Sequence, residues 1–209
     1  MTPARVWGVL ALLYVLFFGW YTSFGGPLTD EEIAHYTAVL EARGGDPARL
    51  AVFDHFMRTD TGDDFAMFNA IELRESPERI EGVLPGETSE EVLARYSRPF
   101  MAKAMRAAAH PVLLGSAASP AVDIWGIEGA DDWTMGGLVR YRSRRDLMKQ
   151  IESIRDDGIH DFKIAAMAKT VAYPLDPWFQ LGDPRLVLAL VLTILGLSFH
   201  LRTALSGSR

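Results

Sequence analysis

Apolar side chains gather at the two ends of the chain, and nearly all the charge lies between them. Residues Val6 to Tyr21 read VWGVLALLYVLFFGWY, sixteen positions without a charged side chain, and Thr22-Ser23-Phe24 extend the run. About 19 residues at 1.5 Å each give roughly 28 Å, close to the hydrocarbon thickness of a bilayer. Trp7 and Trp20-Tyr21 fall where interfacial aromatics belong. A cleaved leader is the alternative, but the run is long for one, and Ser23-Phe24-Gly25-Gly26-Pro27 makes a poor cleavage site. The expectation is a retained span. A second run, Leu186 to Leu201, has only Thr193, Ser198 and His200 as polar side chains, and Asp183-Pro184 opens it as cap and first helical position. Arg185 and Arg202 bracket it and can snorkel outward. Few soluble helices are apolar on every face, so this too reads as a span.

Between the ends the pattern alternates between helical and strand periods. Thr29-x-x-Glu32 is a capping box, opening a helix that stops at Gly44-Gly45, and Asp46-Pro47 starts another with Leu50, Phe53, Phe56 and Met57 on one face. Asp60 to Asp64 form a solvated turn, without the alternating spacing of a calcium loop. Phe65 to Arg74 is a strand with large apolar residues on both faces at its start, and Asn69 lies on an otherwise apolar face. A helix follows from Thr88 or Ser89 to about Ala108, carrying Val92, Tyr96, Met101 and Met105 inward, with Pro99 expected to kink or split it. Pro111 to Gly115, Ala121 to Trp125 and Trp133 to Tyr141 are strand candidates. Ser143-x-x-Asp146 caps a helix to about Ile154, which Asp156-Asp157-Gly158 ends. Ile159 to Ala168 reads as helix, and Thr170 to Pro174 as a closing strand.

Composition narrows the classes. Hydrophobic residues make up 49% and charged residues 23% of the 209 positions, which excludes disorder and coiled coil. The net charge of −6 argues against nucleic-acid binding, so no nucleic-acid partner is expected. Absence of cysteine removes disulfides, thiolate metal sites and cysteine nucleophiles. No P-loop, G-x-S-x-G or dinucleotide glycine pattern occurs, and no H-E-x-x-H or C-x-x-C-H, so no metal site and no cofactor are expected. Residues 25 to 184 carry 17 basic and 27 acidic side chains, whereas Arg5, Arg202 and Arg209 flank the outer ends of the spans. The bias places both termini in the cytoplasm and the central region outside, periplasmic in a bacterial inner membrane.

Phe65-x-Met67-x-Asn69, Tyr96, Ala109-His110-Pro111-Val112 and the run Leu138 to Arg144 together resemble DUF1330-type domains of the dimeric α/β-barrel superfamily. The resemblance covers about residues 60 to 176. It implies an α+β fold of ferredoxin-like β-α-β-β-α-β order, pairing as a homodimer through its sheet, with any ligand pocket between sheet and helices. The two flanking spans and the N-terminal helical pair depart from that family. Four segments result: 1–24, tail and first transmembrane helix; 25–59, a helical pair; 60–176, the ferredoxin-like domain; and 177–209, second transmembrane helix and tail.

Candidate chemistry is sparse. His110 at the helix-to-strand junction and Asn69 are the candidates for catalysis, since an imidazole titrates near neutrality and a buried amide orients ligands. A structural histidine capping the helix is the plainer account of His110. Asn69, Tyr96, Trp125, Trp133, Arg140 and Tyr141 are the side chains expected around a ligand pocket, or else barrel core and dimer interface. Arg140 and Arg142 share a strand face and are expected to pair with Glu72 or Glu75, while His55 and His160 are expected on the solvated surface. The function expected from all this is a two-pass membrane protein whose extracytoplasmic dimeric domain is an assembly module, an accessory subunit of a larger membrane complex. The alternative is a small isomerase- or monooxygenase-like enzyme, or a binding protein, for a lipophilic or aromatic ligand.

Overall fold

A computed structural model of the chain describes residues 2–154 and 158–207. Asp156-Asp157, expected to end a helix, and Arg209, counted in the charge bias, lie outside the described residues. The chain divides into two units, one made of residues 1–23 with 177–209 and the other of residues 24–176.

The first unit is a pair of helices, α1 (Pro3–Tyr21) and α7 (Pro184–Gly207). Both are long and apolar enough to cross a membrane, and only 6% of each apolar window is buried. Thr2 caps α1 through its side chain. Asp183 opens α7, accepting from the Arg185 backbone at 2.8 Å. The same carboxylate holds the Arg185 guanidinium at 2.6 Å, and that guanidinium lies 5.5 Å from the Tyr21 ring centroid. Where α1 meets α7, Trp7 sits against Gly196, so close that a Cβ there would fall 2.5 Å from the indole. Small residues thus let a large ring approach the backbone. A shallow cleft of about 190 Å³ beside this contact is lined by Trp7, Tyr14, Ala189 and Thr193 among others.

In the second unit, β1 (Phe65–Leu73), β2 (His110–Ser116), β3 (Met135–Tyr141) and β4 (Met167–Leu175) form one antiparallel sheet in the order β2-β3-β1-β4. Among the described residues five helices accompany it: α2 (Asp30–Glu41), α3 (Pro47–Arg58), α4 (Ser89–Arg106), α5 (Arg144–Ile154) and α6 (His160–Ala166). Complete capping boxes start α2 (Thr29, Glu32) and α4 (Thr88, Glu91), and Asp46 caps α3. Ser143 accepts from the Asp146 backbone at 3.1 Å to start α5.

The period of two along β1 divides the sheet cleanly. Phe65, Met67, Ile71 and Leu73 face the helices with Met135, Val139 and Tyr141 of β3. One cluster joins Leu28, Ile33, Tyr36, Phe56, Met57, Phe65, Tyr141 and Met148, so the N-terminal helices α2 and α3 share a core with the sheet. A second joins Val92, Leu93, Ala165, Ala166 and Met167. Phe65 stacks on Tyr141 with ring centroids 5.4 Å apart and meets Phe56 edge-on at 5.6 Å.

Several expectations change. Pro99 neither splits nor ends α4, which runs unbroken from Ser89 to Arg106. Val92 and Leu93 on one side of the proline and Ala104 on the other are all buried, and this packing holds both halves in one helix. Met105 points outward, 55% exposed. Residues Ala121 to Trp125 form no strand, because β2 and β3 pair directly with each other up to Ser116↔Met135 and leave the segment outside the ladder. Trp133 falls in that loop, before β3 begins. The last helix is shorter than its periodicity suggests, since β4 starts at Met167 to pair along the length of β1.

Candidate functional site

The arginine cluster behaves as a set of internal staples. Arg140 is 1% exposed and donates to the Asp64 carboxylate from Nε and a terminal nitrogen, at 3.0 and 2.8 Å, and to the Ala108 carbonyl at 2.9 Å. Arg142 binds Asp146, four residues on, at 2.7 Å. Neither pairs with Glu72 or Glu75 as expected, because Asp64 immediately precedes β1 and Asp146 lies in the first turn of α5, both nearer in space. Arg144 donates to the Phe56 carbonyl at 2.5 Å and the Thr59 hydroxyl at 2.8 Å, with its guanidinium 4.8 Å from the Phe56 ring centroid. Arg145 grips Glu32 at 2.6 Å and donates to the Gly26 and Pro27 carbonyls. Arg144 and Arg145 therefore tie α5 to the N-terminal helical segment.

The Asp60–Asp64 turn is structural where solvation was expected. Buried Asp60 accepts from the Leu28 backbone at 2.9 Å and from Gly62 at 3.0 Å, and Asp64 anchors Arg140. These two carboxylates are the residues sequence reasoning passed over. Their only signal was their position directly before the first core strand.

The sequence-derived pocket residues do not converge. Asn69 lies on the helix-facing side of β1, its amide donating to the Met67 carbonyl at 3.0 Å. His110 and Arg140 are cross-strand partners on the opposite face, and the His110 ring nitrogen Nδ1 is 3.0 Å from the Pro111 carbonyl. One small molecule cannot touch all three. Tyr141 is core, its phenol pushed up by burial. Tyr96 packs in the second cluster, its ring 5.3 Å from that of Phe100, and burial pushes its phenol up to about 12. Trp133 donates to the Ala130 carbonyl at 2.9 Å beneath the Lys169 ammonium, while Trp125 stands in solvent, 93% exposed. His55 is exposed on α3, and His160 sets its ring edge-on to Tyr96 at 5.9 Å. Among the described residues no group of three His, Asp or Glu is placed to hold a metal ion.

What the structure does assemble is an apolar surface. The second face of the sheet carries Ala66, Phe68 and Ala70 of β1, Leu138 of β3, Leu113 of β2, and Val171, Tyr173 and Leu175 of β4. Neither buried cluster includes any of them. Leu113, Val171, Tyr173 and Leu175 are 63, 42, 45 and 40% exposed. Phe68 and Tyr173 pair with ring centroids 5.1 Å apart. The charges on this face are matched, Lys169 to Glu72 at 2.8 Å and Arg140 to Asp64.

No family model matches the chain, and no curated protein matches it either. Two solved structures are similar. The structure of methylated RPA0582 protein is 21% identical, with a TM-score of 0.53, covering 66% of this chain and 96% of that one. The RPA0582 protein of unknown function from Rhodopseudomonas palustris gives 21% identity and a TM-score of 0.51, over 65% and 97% of the two chains. They establish a related fold.

Proposed function

We propose that this chain is a two-pass membrane protein whose α/β unit is an assembly module, paired with a second copy through the uncovered sheet face. The observation that carries it is that face: a row of Phe68, Leu113, Leu138, Val171, Tyr173 and Leu175 on which Lys169 is matched by Glu72 and Arg140 by Asp64, opposite a face buried by helices. A sheet with two apolar faces needs a second layer to stabilise it, and a copy of itself supplies a complementary one. The strand order β2-β3-β1-β4 with helices between β1 and β2 and between β3 and β4 supports a ferredoxin-like arrangement. That supports in turn the resemblance to dimeric α/β-barrel domains of the DUF1330 type. Two apolar end helices and the acidic intervening region support anchoring at both ends, with the α/β unit on the outer, periplasmic side and both tails in the cytoplasm.

Because the chain has no cysteine, single cysteines report cleanly. Introduced one at a time at Leu113, Val171 and Tyr173, they are expected to give disulfide-linked pairs in the membrane, whereas a cysteine at exposed Val52 on α3 gives none. Pairs at Val52 alone, or at no position, would refute the reading.

A further inference from the structure

The connection between β2 and β3 spans residues 117–134, long for a loop without helix or strand, and such loops in compact domains are commonly functional. Its base is fixed. The Ala117 backbone donates to the Thr134 carbonyl at 2.9 Å, and Ala121 donates to Asp131 at 2.8 Å. Trp133 is held by the Ala130 carbonyl, and Lys169 on β4 reaches both the Gly129 carbonyl and the Trp133 ring. Beyond this anchored base the tip projects three large apolar side chains into solvent: Val122, Trp125 and Ile127 are 95, 93 and 67% exposed. A fixed loop that spends a tryptophan on water carries a cost unless something covers it.

Charge says what covers it. The tip and base carry Asp123, Glu128, Asp131 and Asp132, all exposed, and no lysine or arginine occurs between Arg106 and Arg140. None of these four carboxylates enters an ion pair among the described residues. We infer that the 117–134 loop is a docking finger that seats Val122, Trp125 and Ile127 in an apolar slot, rimmed by lysine or arginine, on a different protein. The inference rests on the assembly-module reading and names the kind of partner that reading requires. An anionic lipid surface repels four carboxylates that no lysine or arginine of the loop itself offsets. A second copy offers no such rim on its apolar sheet face, where Lys169 is already matched to Glu72 and Arg140 to Asp64.

The test uses the full chain in its native membrane, with a photocrosslinking phenylalanine analogue at position 125 and, as control, at position 52. The expected result is one discrete adduct with another protein from position 125 and none from position 52. The double variant Asp123→Lys, Glu128→Lys is expected to cut its yield by about tenfold, because it sets like charges against the basic rim. An adduct of two copies of this chain, a lipid adduct on the single chain, a yield indifferent to the charge reversal, or no adduct would each overturn the inference. Cysteine pairing at Leu113, Val171 and Tyr173 is read in the same membranes. Loss of those pairs sinks the assembly-module reading itself, whereas intact pairs without a position-125 adduct sink the finger alone.

Discussion

Arg140 on β3 and Asp64, the residue before β1, meet through two hydrogen bonds of 2.8 and 3.0 Å, and the same guanidinium caps the carbonyl of Ala108 at 2.9 Å. Ala108 has a φ of 56°, the left-handed region that a non-glycine residue seldom adopts. Arg140 therefore fastens three places at once: the entry to β1, the turn after α4 and its own strand. Replacing it with Met is expected to cost about 3–5 kcal/mol, because Asp64 and the Ala108 carbonyl lose their donor in a largely buried site. Urea unfolding of the solubilised chain measures this. A loss below about 1 kcal/mol, the value of an exposed pair, would show that the staple is dispensable.

Asp60 and Gly62 make the second structural prediction. The Asp60 carboxylate receives the backbone hydrogens of Leu28 and Gly62, and Gly62 has a φ of +84° with its open side pressed on the Gly26 backbone. Asp60→Ala leaves a buried donor at Leu28 unsatisfied, a loss of about 1–3 kcal/mol. Gly62→Ala is expected to destabilise further still, since a Cβ meets both an unfavourable φ and the Gly26–Pro27 chain. Equal thermal midpoints for Gly62→Ala and the parent chain would contradict the tight approach.

Protonation gives opposite limits at the two ends of the pH scale. The hydrogen bond from Arg145, aided by the Thr29 backbone, holds the Glu32 carboxyl near 2, below its ordinary 4.5. The unfolded chain binds that proton more readily, so the contribution is complete above about pH 4.5 and fades as pH falls toward 2. Burial raises the Tyr96 phenol from 10 to about 12. Its contribution is complete below pH 10 and is lost as pH climbs toward 12. Urea midpoints should fall on the approach to each limit, and Glu32→Gln should flatten the acid limb only. An unchanged acid limb in that variant would show that the Arg145 contact does not set it.

Much of the architecture was legible because local signals agree with the tertiary solution. Thr29-x-x-Glu32 and Asp46-Pro47 mark helix starts by chemistry confined to one turn, and the uninterrupted apolar runs fold as the two long end helices. The large residues on both faces at the start of Phe65–Arg74 correspond to one face packed under helices and a second apolar face that the helices leave uncovered. The errors have a common cause: long-range partners outvoted local preference. Ala121 to Trp125 has strand composition but no free ladder to join, and the helical period before Thr170 yields at Met167 to pairing with β1. Strand alternation put Arg140 and Arg142 on one face, yet β3 ends at Tyr141, and alternation could not show that Asp64 and Asp146 would be their partners in place of Glu72. The candidate pocket failed to assemble for a similar reason, since strand parity sends Asn69 and Arg140 to opposite faces.

The mass of the detergent-solubilised full chain, corrected for bound detergent, tests the sheet-to-sheet pairing most directly. The parent chain is expected to run as two copies of the 23.2 kDa polypeptide. Tyr173→Arg is expected to run as one copy while keeping its circular dichroism, because it places a charge in the centre of the apolar face. A single-copy parent, or a Tyr173→Arg variant that stays paired, would contradict the account.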